Sequence, residues 1–223
     1  MVDATHVLEV QHVSWRAGRQ APTLLILLPG AYDRPQDFIT HDFPAIAHAQ
    51  GAAVDFRLVE SDLTSVADGT LAHRLHRQVV LPARAEGYRR IVLGGISIGG
   101  LTALVHADHY PGSVDGLMLL APYPGNRGIT QEIARGGGLA HWQAGELAAS
   151  DDEKRGWRAL QRLAQQSPAR VWLGYGEDDR FAPGLAMMAD VLPPPRACTV
   201  PGGHDWPTWS ALWQRCCAAG ELA

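Results

Sequence analysis

Two stretches of the chain, Leu24-Leu25-Ile26-Leu27-Leu28 and Leu117-Met118-Leu119-Leu120, are apolar at every position. A strand with one wet face alternates apolar and polar residues. A strand-length run without alternation therefore fits a strand covered on both faces, as in a parallel sheet held between layers of helices. Strand-like runs recur at about 6–13, 23–28, 52–59, 90–95, 115–120, 170–175 and 196–200. Between them, 35–50 and 66–86 carry apolar residues at helical spacing, the second until Gly87 ends it, and further helices are expected near 98–110, 152–166, 182–191 and 207–219. This alternation predicts an α/β fold with a mostly parallel central sheet of about seven to eight strands, flanked by helices on both faces. The first run, Val7 to Val13, alternates better than the others, which predicts an edge strand antiparallel to its neighbour.

A length of 223 residues, 46% of them hydrophobic, is enough for a substantial core and predicts one domain over 1–223. One part departs from the regular pattern. The segment at about 123–150, between the strand at 115–120 and the helix at 152–166, contains Pro124-Gly125, Gly128 and Gly136-Gly137-Gly138. It reads as an irregular insertion, either a small cap over a site or a mobile surface loop.

A formal charge of −4 gives no electrostatic reason to expect nucleic acid or an anionic membrane as partner. The longest apolar runs are strand-sized, so no integral membrane association is expected. The start, Met1 to His6, shows no basic segment followed by an apolar stretch, hence no signal peptide in the sequence as it stands. Cys198, Cys216 and Cys217 are an odd set without the paired spacing of a zinc site or disulfide framework. Reduced thiols and a cytoplasmic location follow as expectations. His73 and His76, three apart on a polar segment, lack the His-Glu-x-x-His pattern and read as a solvated helix face, so no metal is expected. Exposed apolar helix faces leave a homodimer open.

The sharpest chemical signal is Gly95-Ile96-Ser97-Ile98-Gly99, which follows the apolar run Ile91 to Leu93 and leads into the helix beginning near 98. This is the Gly-x-Ser-x-Gly pattern of a nucleophile elbow, a turn so sharp that the residues two before and two after the serine must be small. A serine hydroxyl is a poor nucleophile until a histidine takes its proton and a carboxylate orients that histidine. Both partner types follow later strands. After Val171 to Tyr175 come Gly176-Glu177-Asp178-Asp179-Arg180-Phe181-Ala182-Pro183, a cluster of acids where open α/β sheets place their sites. After the last strand comes Pro201-Gly202-Gly203-His204-Asp205-Trp206. His41, His106, His109 and His141 lie in helices or in the irregular segment, away from that loop. Asp205 and Trp206 read as a helix start and core packing, with Trp206, Trp209 and Trp213 at helical spacing.

With serine, acid and histidine in that chain order, the sequence resembles the α/β-hydrolase superfamily, as a small esterase-like member with a small lid or none. The resemblance implies Ser97 as nucleophile and His204 as general base. The family's Gly-x-x-Asp with a proline four residues on falls on Gly176, Asp179 and Pro183, which implies Asp179 as the acid, with Asp178 and then Glu177 as the alternatives. A fourth motif, Leu27-Leu28-Pro29-Gly30-Ala31-Tyr32, ends the core strand before the first helix, with Pro29 where histidine is customary. By resemblance the backbone N–H groups of Ala31 and Ile98 form the oxyanion hole. Tyr32 and Tyr123 are candidates to line a substrate pocket. The implied activity is hydrolysis of a carboxylic ester of a small acyl substrate through an acyl-enzyme, with no cofactor. A thioesterase or acyltransferase using the same three residues, or an idle fold binding a ligand or partner, are the alternatives.

Overall fold

A computed structural model describes residues 9–222 of the chain. Seven strands among them form one sheet: β1 (His12–Trp15), β2 (Thr23–Leu28), β3 (Val54–Val59), β4 (Arg90–Ile96), β5 (Gly116–Leu120), β6 (Val171–Gly176) and β7 (Ala197–Val200). Their order is β1-β3-β2-β4-β5-β6-β7. Every pair is parallel except β1 with β3, an antiparallel edge in which Trp15 lies opposite Phe56. The edge strand is thus antiparallel as its alternation predicts, but it sits later than 6–13, and residues 6–8 lie outside the described residues. Every residue of β2 and β5 is buried, as the unalternating runs require; β3 is buried throughout as well, its Asp55 accepting from Tyr88 Oη (2.7 Å) and its Arg57 donating to Glu86 (2.8 Å). Each fully buried leucine or isoleucine there contributes roughly 1.5–3 kcal/mol.

Ten α-helices accompany these strands among the described residues: α1 (Pro35–Thr40), α2 (Phe43–Ala49), α3 (Leu63–Ala67), α4 (Thr70–Leu75), α5 (Leu81–Ala85), α6 (Ile98–His109), α7 (Arg127–Arg135), α8 (Asp152–Gln166), α9 (Ala182–Ala189) and α10 (Trp206–Ala218). α6 packs between α4 and α8, while α10 packs against α2. From β2 the chain moves outward to β3, then returns to lay β4 on the other side of β2. The loops leaving β2 and β4 therefore part at a switch of direction, which opens a crevice beyond the strand ends.

Helical spacing overstates continuity in two places. The 35–50 stretch is two helices, broken at Asp42, whose φ is +58°, with Pro44 in the first turn of α2. The 66–86 stretch breaks at Gly69 (φ +73°) and again at a π-helical turn, His76–Val80, just before Pro82. Proline brings no N–H and its ring crowds the carbonyl four residues back, and a wider turn relieves both.

The 123–150 segment is more ordered than its glycines predict. It holds α7, capped by Asn126, whose Oδ1 accepts from the N–H groups of Gly128 (2.8 Å) and Ile129 (3.2 Å). Ile133, Leu139 and Trp142 are buried, and the segment is tied to α8 by Trp157 Nε1 donating to Pro124 O (2.8 Å) and by Gln161 donating to Leu139 O and Trp142 O. The three cysteines are unpaired, and burial pushes their thiol pKa values up, that of Cys217 to about 12. Among the described residues no helix is long and apolar enough to cross a membrane, and no group of His, Cys, Asp or Glu could hold a metal ion.

Candidate active site

Ser97 stands between β4 and α6 with φ +51° and ψ −116°, a conformation costly for a residue with a side chain, on the order of 1–3 kcal/mol. Its neighbours hold it there. Ser97 N donates to Leu120 O at 3.1 Å, and Ser97 O accepts from Leu101 N (3.1 Å) and Tyr123 N (2.8 Å). A Cβ on Gly95 would lie 2.5 Å from Leu28 O, and one on Gly99 would strike the carbonyl oxygens of Leu28 and Pro29. Both obstacles are backbone, so neither can move aside cheaply. The missing side chains let the end of β2 run directly against the elbow, which brings the Pro29–Tyr32 turn beside the start of α6.

His204 lies in the loop between β7 and α10. Its Nδ1 donates to Asp179 Oδ2 at 2.7 Å, and its Nε2 faces Ser97 Oγ at 2.9 Å. An ionised carboxylate can only accept, so Asp179 places the ring proton on Nδ1 and leaves Nε2 free to accept from the serine hydroxyl. Phe181 and Trp209 meet the imidazole edge-on from centroid distances of 5.1 and 5.2 Å, which fixes the ring plane. Asp179 is 4% exposed, and its other oxygen accepts from Phe181 N at 2.8 Å. Asp178 and Glu177 point into solvent, Glu177 accepting from Thr199 Oγ1 (3.2 Å), so of the three acids it is Asp179 that meets His204. Gly176 explains the spacing of that motif: a Cβ there would come within 2.7 Å of Gly203 O, so glycine lets the acid turn and the histidine loop touch.

Asp205 caps α10, accepting from Thr208 N (3.1 Å) and Thr208 Oγ1 (2.7 Å), and Trp206 packs on Phe38 and Phe43, as their positions in the sequence predict. Ile98 opens α6, where N–H groups have no partner within the helix. Ala31 lies exposed in the turn after β2. Tyr32 has φ +68° and is 92% exposed, outside the cleft beside the elbow. Tyr123 does line that cleft, together with Val66, Ile98, Leu101, Asn126 and Ile129. The cleft holds about 570 Å³, and its remaining wall includes Asp68, Asp151, Asp152 and Glu153. Burial, and then the Glu153 charge, raise the Tyr123 pKa, and burial raises that of Asp152.

His73 and His76 are not the solvated face expected of them. Both are half-buried: His73 Nδ1 lies 2.7 Å from Tyr110 Oη, and His76 stacks on the Tyr110 ring at 3.7 Å. Their spacing is a helical polar face only until α6 packs over it. The residues around His204 that sequence reading missed are Phe181, Trp209 and Asp33, which accepts from Trp206 Nε1 at 3.1 Å. Asp33 stands one residue beyond the Leu27–Tyr32 motif, and no spacing rule points to it.

The folds of several solved structures match this one. MPT51 (FbpC1) of Mycobacterium tuberculosis aligns with a TM-score of 0.67 at 16% identity, over 96% of this chain and 94% of that one. Fluorophosphonate-binding serine hydrolase F of Staphylococcus aureus aligns at 0.63 and 12% identity, over 96% and 99%. Est1E of Butyrivibrio proteoclasticus aligns at 0.62 and 15%, over 96% and 92%. No curated protein matches the sequence. Identities this low speak for the fold, while the sequence itself carries the family: the Esterase profile matches residues 71–215, more than half of the chain, from α4 through the elbow to α10. The chain therefore belongs to the Esterase family, as a carboxylic ester hydrolase of the α/β-hydrolase fold.

Proposed function

We propose that the protein cleaves carboxylic esters of small acyl substrates by a serine–histidine–aspartate mechanism. Ser97 Oγ attacks the ester carbonyl while His204 Nε2 takes its proton, and Asp179 holds the imidazole in the reactive tautomer and stabilises the imidazolium that forms. The N–H groups of Ala31 and Ile98 receive the charge on the former carbonyl oxygen, each such donor lowering the barrier by about 3 kcal/mol. His204 then returns the proton to the leaving alkoxide. A water molecule attacks the acyl-enzyme in the same way and releases the acid. The observation that carries the reading is the hydrogen-bonded chain from Asp179 through His204 to a serine held at positive φ.

The cleft supports small substrates. Apolar side chains of Ile98, Leu101 and Ile129, the last from α7, offer an acyl chain contact beside the serine. None of the residues lining the cleft is Lys or Arg, whereas four are acidic. Neutral acyl groups therefore fit better than anionic ones, which also weighs against thioesters of phosphate-bearing carriers.

The Staphylococcus aureus relative is described as fluorophosphonate-binding. The same reagent tests this protein. Wild type is expected to label and to hydrolyse p-nitrophenyl acetate and butyrate. Ser97→Ala is expected to lose labelling and all but about a millionth of kcat. A wild-type protein inert toward both the probe and a p-nitrophenyl ester panel would end the reading.

A further inference from the structure

Two loops must stay in register for the proposed reaction, the Ala31 turn that receives the oxyanion and the loop that carries His204. One hydrogen bond joins them directly: Trp206 Nε1 donates to Asp33 Oδ1 at 3.1 Å. Asp33 lies two residues beyond Ala31, and Trp206 two beyond His204. Each end is anchored. Trp206 is stacked on His41 at 4.1 Å and meets Phe38, Phe43 and Trp209 edge-on, and Trp209 in turn abuts the His204 ring. Asp33 N donates to Gly30 O at 3.3 Å, and a Cβ on Gly30 would come within 2.6 Å of Asp33 Oδ2. The carboxylate therefore folds back over the turn that bears Ala31, with no space between them.

We propose that Asp33 is a positioning residue for ester hydrolysis. Through Trp206 it ties the Ala31 turn to the His204 loop, and it holds a second negative charge within reach of the imidazolium that forms when Ser97 gives up its proton. The inference rests on the serine–histidine–aspartate reading above. Burial raises the Asp33 pKa; after it the Trp206 hydrogen bond lowers it, the Asp37 charge raises it, and the His204 and His41 charges lower it. Asp179 orients the ring from behind, and Asp33 fixes how far that ring stands from the oxyanion donors. Displacements well under 1 Å matter at such a site, because a misplacement of about 1 Å can cost a hundredfold in rate.

The test uses Asp33→Ala, Asp33→Asn, Trp206→Phe and the Asp33→Ala/Trp206→Phe double variant, assayed on p-nitrophenyl acetate across pH. Asp33→Ala and Trp206→Phe should each lower kcat on the order of tenfold, with KM within about twofold. Because both remove one bond, the double variant should fall no further than the worse single. Asp33→Asn keeps an oxygen acceptor for Trp206 and should lose only about threefold. Without the charge, its acid limb of kcat/KM should move to lower pH, since an anion favours the protonated imidazole. A merely structural role would lower thermal stability without moving that limb. Asp33→Ala and Trp206→Phe both within twofold of wild type in kcat, multiplicative losses in the double variant, or an unmoved acid limb in Asp33→Asn would each overturn the proposal. Where Asp33→Ala does not fold, Asp33→Asn and Trp206→Phe decide it. A wild type that takes up fluorophosphonate while these variants stay normal sinks this proposal alone, whereas an unlabelled, inactive wild type sinks the underlying reading with it.

Discussion

The two ends of α6 each hold a shielded imidazole, and only one of them lies between a carboxylate and a serine hydroxyl. At the N-terminal end, His204 has a buried carboxylate on Nδ1 and the Ser97 hydroxyl on Nε2. At the C-terminal end, His106 is fully buried, with Nε2 3.3 Å from His76 Nδ1, Nδ1 without a partner, and Tyr110 alongside. Burial, and after it the neighbouring imidazoles of His76, His109 and His73, push the His106 pKa down to about 3. The comparison separates two variables, enclosure and a carboxylate behind the ring. Enclosure alone makes histidine a neutral filler, while a carboxylate on Nδ1 adds what the proposed mechanism requires of a general base.

Between these two histidines, the largest expected effect comes from removing that anion. In Asp179→Asn the amide can donate to Nδ1, the imidazole keeps its proton on Nε2, and that nitrogen no longer accepts from Ser97. Turnover of p-nitrophenyl acetate should fall on the order of ten-thousandfold. Asp178→Asn, changing a side chain in solvent, should stay within about twofold. A larger loss at 178 than at 179 would break the comparison at its root, because the base would then owe its activity to a group that does not touch it.

The second test works at the other end of α6. The folded pKa of His106 lies below the unfolded value near 6.5, so the unfolded chain binds a proton that the folded one refuses. Stability should be at its full value above pH about 6.5. It should fall on acidification toward about pH 3, by up to about 1.4 kcal/mol per pH unit from this residue. The pKa values of His76 and His109 are lowered in the same direction, first by burial, and should add to the slope. Urea midpoints measured between pH 4 and 7 should show a shallower decline in His106→Leu than in wild type. An identical slope in the two proteins would mean that some other group takes up the proton.

The sheet could be read from the sequence because its signal is local: a strand buried on both faces has no polar alternation, and Thr23–Leu28 falls where that rule puts it. The elbow and the two loops that follow β6 and β7 were legible for a similar reason, since each motif lies within about eight residues and its glycines mark real collisions, as at Gly99 and Gly176. Contacts between distant segments were not legible. His76 and His106 are 30 residues apart and Asp33 and Trp206 are 173 apart, so no spacing rule links them. Helix ends were misjudged where Pro44, Gly69 and Pro82 interrupt an unbroken apolar period, because the period records which side is buried and not whether the backbone continues.

The smallest expected effect concerns charge around the Ser97 end. The cleft beside Ser97 presents Asp68, Asp151, Asp152 and Glu153; no basic side chain lines it, and behind its wall Arg155 Nε lies 3.6 Å from Asp152 Oδ1. These acids are partly or wholly exposed, so water and salt weaken their field to a fraction of what a buried anion exerts. That is the opposite regime from Asp179. The p-nitrophenyl monoester of succinate, which carries a free carboxylate, should show a kcat/KM about three- to tenfold below that of p-nitrophenyl butyrate at low ionic strength. The gap should narrow in 0.5 M salt (about a 4 Å screening length) and in Asp152→Asn, whereas the loss in Asp179→Asn should not respond to salt. A gap that ignores salt would assign the discrimination to the shape of the Ile98, Leu101 and Ile129 wall instead of the acids. The contrast between a buried anion that acts by contact and exposed anions that act through a screened field would then lose its second half.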